Sequence, residues 1–150
     1  MTKRQVKSES VVVGSSPSAI EEVFKRIQQA METCCFNEDD IFAARLALQE
    51  AFTNAIRHGN RMNPSKSARI EYSIDSKKAV IKLIDQGNGF DPGSIPDPTD
   101  GRNLYKTGGR GLFLIRSYMD QVRFSNRGNC ITMVKLRSNV PRKGRLALEN

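Results

Sequence analysis

Leu48-Gln-Glu50-Ala-Phe-Thr-Asn54-Ala-Ile-Arg-His58-Gly59 is the stretch that decides how this chain folds. Glu50, Asn54 and His58 recur every fourth residue, so on a helix they stack one turn apart, with neighbouring Cβ atoms roughly 6 Å from each other. Ala47, Leu48, Ala51, Phe52, Ala55 and Ile56 supply apolar stripes beside them. Gly59 is expected to end the helix as a residue free to take positive φ. Glu50 and Asn54 are thus polar side chains flanked by core, a costly placement unless each has a partner or a task.

Outward from that helix, the pattern predicts strand, helices, strand pair, helix, strand pair. Residues 5–13 alternate and end in Val11-Val-Val13 before a Gly-Ser-Ser turn, which reads as a strand. Ser16 as cap and Pro17 at the first position start a helix whose apolar positions are Ile20, Val23, Phe24, Ile27 and Ala30 or Met31. Asn37-Glu-Asp-Asp starts the second helix, which carries the polar face and runs to about His58. Residues 68–75 and 79–85 read as a hairpin joined at Ser76-Lys-Lys, residues 112–119 as a helix, and residues 121–125 and 130–136 as two further strands. The expected fold class is α+β: a two-layer α/β sandwich with a mixed, mostly antiparallel sheet and helices on one face. Residues 86–111 are long and rich in Gly, Pro and Asp, and such a length inside a compact domain marks a functional lid.

Two glycine-rich segments border that lid. Asp85 ends an apolar strand, and Gly87 and Gly89 follow at once, so backbone can approach a ligand closely beside a rigidly held carboxylate. Such a carboxylate can accept a hydrogen bond from the exocyclic amine of adenine; the plainer reading is a strand-end carboxylate capping the next turn. Gly108, Gly109 and Gly111 open a helix, with Lys106, Thr107 and Arg110 among them and Leu112 behind. Helix N-termini with exposed N–H groups favour phosphate, and basic or hydroxyl side chains strengthen that preference. The spacing fits neither a P-loop nor a dinucleotide fingerprint.

In order, helix E-x-x-x-N, then D-x-G-x-G after a strand, then G-x-G-L opening a helix, the set resembles the ATP site of the gyrase, heat-shock chaperone, histidine kinase and MutL superfamily (the GHKL or Bergerat fold). Within it, Glu50-Ala-x-x-Asn-Ala-x-x-His-Gly59, Asp85-x-Gly-x-Gly-Phe-Asp-Pro92 and Gly109-Arg-Gly-Leu-Phe-Leu-Ile115 with Met119-Asp120 look like bacterial anti-sigma factor serine/threonine kinases. The resemblance covers roughly residues 5 to 138. It implies ATP and Mg²⁺ as cofactors, Asp85 as the adenine acceptor, Asn54 as the metal ligand, Glu50 as catalytic base, and the 106–112 segment with Gly87 and Gly89 around the nucleotide. It further implies a serine or threonine on an anti-anti-sigma (STAS-domain) protein as substrate and a sigma factor as sequestered partner; the resembled kinases are commonly homodimers. His58 stays open between a role in the site and a satisfied helix-end histidine.

Composition bounds these readings. One domain is expected from 150 residues, taken as residues 1–138 with a basic tail at 139–150. No apolar run approaches the roughly 18 residues of a membrane helix, and Met1-Thr-Lys-Arg-Gln is not followed by a leader's apolar region, so a cytoplasmic place is expected. Cys34, Cys35 and Cys130 lack disulfide or metal spacing and read as reduced thiols. The net charge of +8 raises nucleic-acid binding. Yet residues 1–9 hold +2 of it and residues 137–150 hold +3, with no aromatic stacking series beside them. A steep salt dependence of DNA binding would be needed to support that role. The remaining alternatives are a non-catalytic ATP-gated binding module, against which Glu50 speaks, and a histidine kinase catalytic domain, for which no dimerising hairpin with a phosphoacceptor His precedes the site. Ser-His-Asp chemistry has no nucleophile elbow here.

Overall fold

The computed structural model describes residues 6–87, 109–125 and 128–138. In chain order its elements are strand β1 (Lys7–Val13), a 3₁₀ turn (Pro17–Ala19), helix α1 (Ile20–Thr33), helix α2 (Glu38–Asn54) continuing as a π turn (Ala55–Gly59), strands β2 (Ala68–Ile74) and β3 (Lys78–Asp85), helix α3 (Gly109–Tyr118), and strands β4 (Gln121–Ser125) and β5 (Cys130–Leu136). The sheet order is β1-β2-β3-β5-β4. Every pairing is antiparallel, so the mixed sheet expected from the sequence is antiparallel throughout the described residues. The reason is the crossover: the chain leaves β3, passes through α3 and enters β4 one place too far for direct pairing. β5 then turns back into the gap between them.

Period-two alternation sets which side chains face the helices. Ile70, Tyr72 and Ile74 of β2, Ala79, Ile81 and Leu83 of β3, and Ile131 and Met133 of β5 join one core. Val23, Phe24, Ile27 and Met31 of α1 complete it with Ala44, Ala47, Leu48, Ala51 and Phe52 of α2. Each fully buried Leu, Ile or Phe there contributes about 1.5–3 kcal/mol. The same alternation carries one step further along β3 to Asp85, which brings a carboxyl to the core side at the strand's end.

The ends of α2 are fixed differently. Asn37 caps its start, its side-chain oxygen accepting from the Asp40 N–H at 2.8 Å. Ser16 precedes the 3₁₀ turn rather than α1 and makes no side-chain cap bond, which corrects its expected role. Asp40 is buried and accepts from the Ser138 N–H (3.0 Å) and hydroxyl (2.7 Å). Lys135 lies between Asp40 (4.0 Å) and Asp120 (3.8 Å). The start of α2 is thereby tied to the end of β5. All three cysteines are free, Cys34 and Cys130 buried and Cys35 exposed. Among the described residues no helix is long and apolar enough to cross a membrane.

Candidate functional site

Two polar constellations line the C-terminal part of α2 and its continuation. In the first, Glu50 and Asn54 are half-buried while their neighbours Ala51, Phe52 and Ala55 are buried. The first turn of α3 crosses directly over them. A Cβ placed on Gly111 would lie 2.9 Å from Asn54 Nδ2, 3.1 Å from Glu50 Oε1 and 3.2 Å from Asn54 Oδ1. A side chain on residue 111 would push the Asn54 and Glu50 heads aside, so glycine lets the helix backbone approach them as they stand. Arg45, on the same helix, reaches Glu21 at 3.2 Å and lies over the Phe24 ring at 5.1 Å. Leu112 is buried, so its backbone N–H is what it can offer a ligand at the start of α3.

The second constellation forms where α2 loses its regular pitch. From Ala55 to Gly59 the helix widens into a π turn, with the Asn60 N–H on the Ala55 carbonyl at 2.7 Å. The added residue takes His58 off the Glu50–Asn54 line and leaves it exposed. Gly59 does not adopt positive φ; Arg61 (φ 53°) and Met62 (φ 59°) do. The helix ends at Gly59 as expected, but not through positive φ: the missing Cβ serves close packing instead. A Cβ there would strike the Asp85 carboxyl group, and one on Gly87 would strike the Gly59 carbonyl. Gly59 and Gly87 together let the helix end and the chain after β3 touch backbone to backbone around Asp85.

Asp85 is held from several sides. Its Oδ1 accepts from the Gly87 N–H at 2.7 Å. Its own N–H donates to the Asn129 carbonyl at 2.9 Å. Burial pushes the carboxyl above the usual carboxylate range, while the Gly87 N–H bond and the Lys66 charge pull it back in part. Asn129 donates from Nδ2 to the Asp85 carbonyl at 3.3 Å, and its buried Oδ1 has no partner among the described residues. Asn60, 1% exposed, donates from Nδ2 to the Ser67 carbonyl (3.0 Å) and accepts on Oδ1 from the Gln86 N–H (2.8 Å).

Of the residues singled out in the sequence, Glu50, Asn54 and Gly111 meet in one group and Asp85 and Gly87 in the other. About five residues of helix, roughly 7 Å of rise, separate Asn54 from Gly59. Gly89, Lys106, Thr107 and Gly108 lie outside the described residues, as do most of the 86–111 lid and the 139–150 tail; Gly109 and Arg110 are described only as the backbone that starts α3. Asn60 and Asn129 were missed by sequence reasoning, since each sits in a polar turn and nothing local marks it as buried. A shallow depression lined by Ser8, Ser10, Glu71, Ser73, Val80 and Lys82 lies over β1–β3, away from both constellations.

The histidine kinase-like ATPase domain family matches residues 13–135, from the end of β1 to the end of β5. This chain belongs to the histidine kinase-like ATPase family. Among the family's members, the serine-protein kinase RsbW of Staphylococcus aureus strain MSSA476 is 34% identical over 105 residues, covering 65% of this chain and 66% of that protein. The serine-protein kinase RsbW of strain JH9 is 34% identical over the same length and with the same coverage. The chain therefore spans just under two thirds of these relatives. The crystal structure of the RsbU and RsbW domains of Rv1364c from Mycobacterium tuberculosis shares the fold, with a TM-score of 0.59 at 14% identity, over 87% of this chain and 32% of that one.

Proposed function

We propose that this member of the histidine kinase-like ATPase family is a protein serine/threonine kinase that binds Mg-ATP between α2, the end of β3 and the start of α3. The observation that carries the reading is the half-buried Glu50–Asn54 pair under the glycine N-terminus of α3. Asp85, Asn129 Oδ1 and the Gly59–Gly87 contact support a nucleobase site a short helical span away: they offer acceptors for an exocyclic amine and backbone with no Cβ in the way. The α3 N-terminus supports a phosphate site, with orphan N–H groups and the positive end of the helix dipole. Gly89, Lys106, Thr107, Gly108 and Arg110 would add to the nucleotide contacts.

Asn54 would hold the metal. Among the described residues there is no cluster of three or more His, Cys, Asp or Glu that could bind a metal ion, and one neutral oxygen suits Mg²⁺, which takes few protein ligands and completes its shell with phosphates and waters. Held by Asn54, Mg²⁺ would offset the charge of the nucleotide phosphates. Glu50 takes the proton from a substrate hydroxyl as that oxygen bonds to the γ-phosphorus of ATP. The bond from that phosphorus to the bridging oxygen breaks, ADP leaves, and the product is a phosphoester on serine or threonine.

Resemblance to anti-sigma kinases extends the proposal to partners: a STAS-domain anti-anti-sigma protein as phosphoacceptor and a sigma factor as the protein held inactive, in the cytoplasm. Residues 1–138 would be the kinase domain and 139–150 a basic tail. The test is transfer from γ-labelled ATP with Mg²⁺ into a soluble lysate of the source organism. Acid-stable label on a small protein is expected. Capture of partners with ATP but no label would make this an ATP-gated binding module instead.

A further inference from the structure

We propose that Asn60 is a positioning residue for nucleotide recognition: its amide fixes the chain after β3 to the end of the α2 helix, and so sets where Asp85 stands relative to Glu50 and Asn54. The inference rests on the reading of Asp85 as the nucleobase acceptor.

Asn60 is one of three buried polar or charged residues among those described, with Asp40 and Thr132. An asparagine amide can donate two hydrogen bonds and accept two. Here the donors go to the Ser67 carbonyl at 3.0 Å and the Ser15 hydroxyl at 3.4 Å, and the acceptor takes the Gln86 N–H at 2.8 Å. The circuit closes through Gln86, whose Oε1 accepts from the Ser67 N–H at 2.7 Å. Gln86 lies between Asp85 and Gly87, so its peptide is the one that aims the Asp85 carboxyl, and the Gly87 N–H grips Oδ1 from the other side. At its own backbone, Asn60 closes the π turn on Ala55 and accepts from the Asn63 N–H at 3.0 Å. Arg61 and Met62 follow with positive φ, a strained backbone that persists only where surrounding bonds over-determine it. The residue that closes this turn through its backbone also holds the peptide after Asp85 through its side chain. Removing it frees the base-side carboxyl from the helix that carries Glu50 and Asn54.

A merely structural role would lower stability alone, and Asp40 supplies the comparison. It is as buried as Asn60 but sits at the opposite end of α2, on Ser138 and Lys135. The experiment measures Mg-ATP affinity by calorimetry and the thermal midpoint of the full chain for Asn60→Ala, Gln86→Ala, Asp40→Ala and Asp85→Asn. Asn60→Ala is expected to weaken Mg-ATP binding about 10–100-fold, the scale of an ångström-sized misplacement, and to lower the midpoint. Gln86→Ala, at an exposed residue, is expected to weaken binding several-fold and to move the midpoint less than Asn60→Ala does. Asp40→Ala lowers the midpoint and leaves affinity as it was. If neither Asn60→Ala nor Gln86→Ala moves affinity, or if Asp40→Ala moves it as far, Asn60 is structural and the proposal is overturned. If Asp85→Asn binds Mg-ATP normally, the parent reading of the nucleobase site fails first. In a transfer assay, the positioning role shows as a raised KM for ATP with kcat kept once ATP saturates.

Discussion

At the scale of single residues, what this chain requires most strictly is room. Gly59 meets the Asp85 carboxyl and Gly87 meets the Gly59 carbonyl. Gly59→Ala is therefore expected to destabilise the fold by about 1–3 kcal/mol through overpacking and to weaken Mg-ATP binding, read as a lower urea midpoint and a higher Kd. Asp85 allows a sharper prediction. Burial raises its carboxyl above the unfolded value, so between the two values the native state binds more protons than the unfolded one. By linkage, that group's contribution to stability falls as pH rises through the window, and the charged form is the costly one at neutral pH. Asp85→Asn should accordingly leave stability at pH 7 unchanged or slightly higher while Mg-ATP affinity drops. In the unaltered chain, affinity should fall as pH drops through the raised value and the acceptor is protonated. Calorimetry and thermal melts across pH 4–8 measure both; a mutant that loses stability and keeps affinity would contradict the assignment.

At the scale of elements, α2 carries the candidate site. Its cap, Asn37 on the Asp40 N–H, is 13 residues before Glu50. Asn37→Ala should cost about 0.5–2 kcal/mol of stability without changing the Mg-ATP affinity of the folded protein, which separate melting and binding measurements would show. Much of this layer was legible in the sequence. The strands at 121–125 and 130–136 match to the residue: β4 alternates between exposed and half-buried positions, and β5 is a short apolar, β-branched run buried through its first five residues. The amphipathic spacing of α1 marked Ile20, Val23, Phe24 and Ile27 and left Ala30 and Met31 as alternatives; both are buried. The π turn was not legible: Ala55 and Ile56 continue the apolar pattern of α2, and one inserted residue changes pitch without changing composition. Gly59 was expected to supply positive φ, but a sequence does not say whether a glycine is chosen for its dihedral or for the space its side chain would fill. Asn60 could not be told from any loop asparagine, since its side-chain partners Ser15, Ser67 and Gln86 lie 7 to 45 residues away in the chain.

At the scale of the whole molecule, the antiparallel sheet and its crossover bring the end of β3 and the start of α3 to the same stretch of α2. Motifs far apart along the chain come to neighbouring places: Asp85 beside Gly59 at the end of the helix, and Gly111 of α3 over Asn54 and Glu50. The charge of the chain belongs at this scale as well. On the proposed reading the net +8 serves protein and nucleotide partners, so any DNA binding should be weak and should vanish between 50 and 200 mM salt without sequence preference. A sequence-specific complex that survives that titration would contradict it.

On the proposed reading Glu50 removes the proton in phosphoryl transfer from ATP bound over Asn54. The most direct measurement is the single-turnover transfer rate from γ-labelled Mg-ATP to the protein substrate, taken with the Kd for Mg-ATP, in the unaltered chain and in Glu50→Ala. Kd is expected to stay unchanged and the transfer rate to fall about 10²–10⁴-fold, the scale of a lost general base. Equal transfer rates would contradict it and leave Glu50 a structural neighbour of the nucleotide.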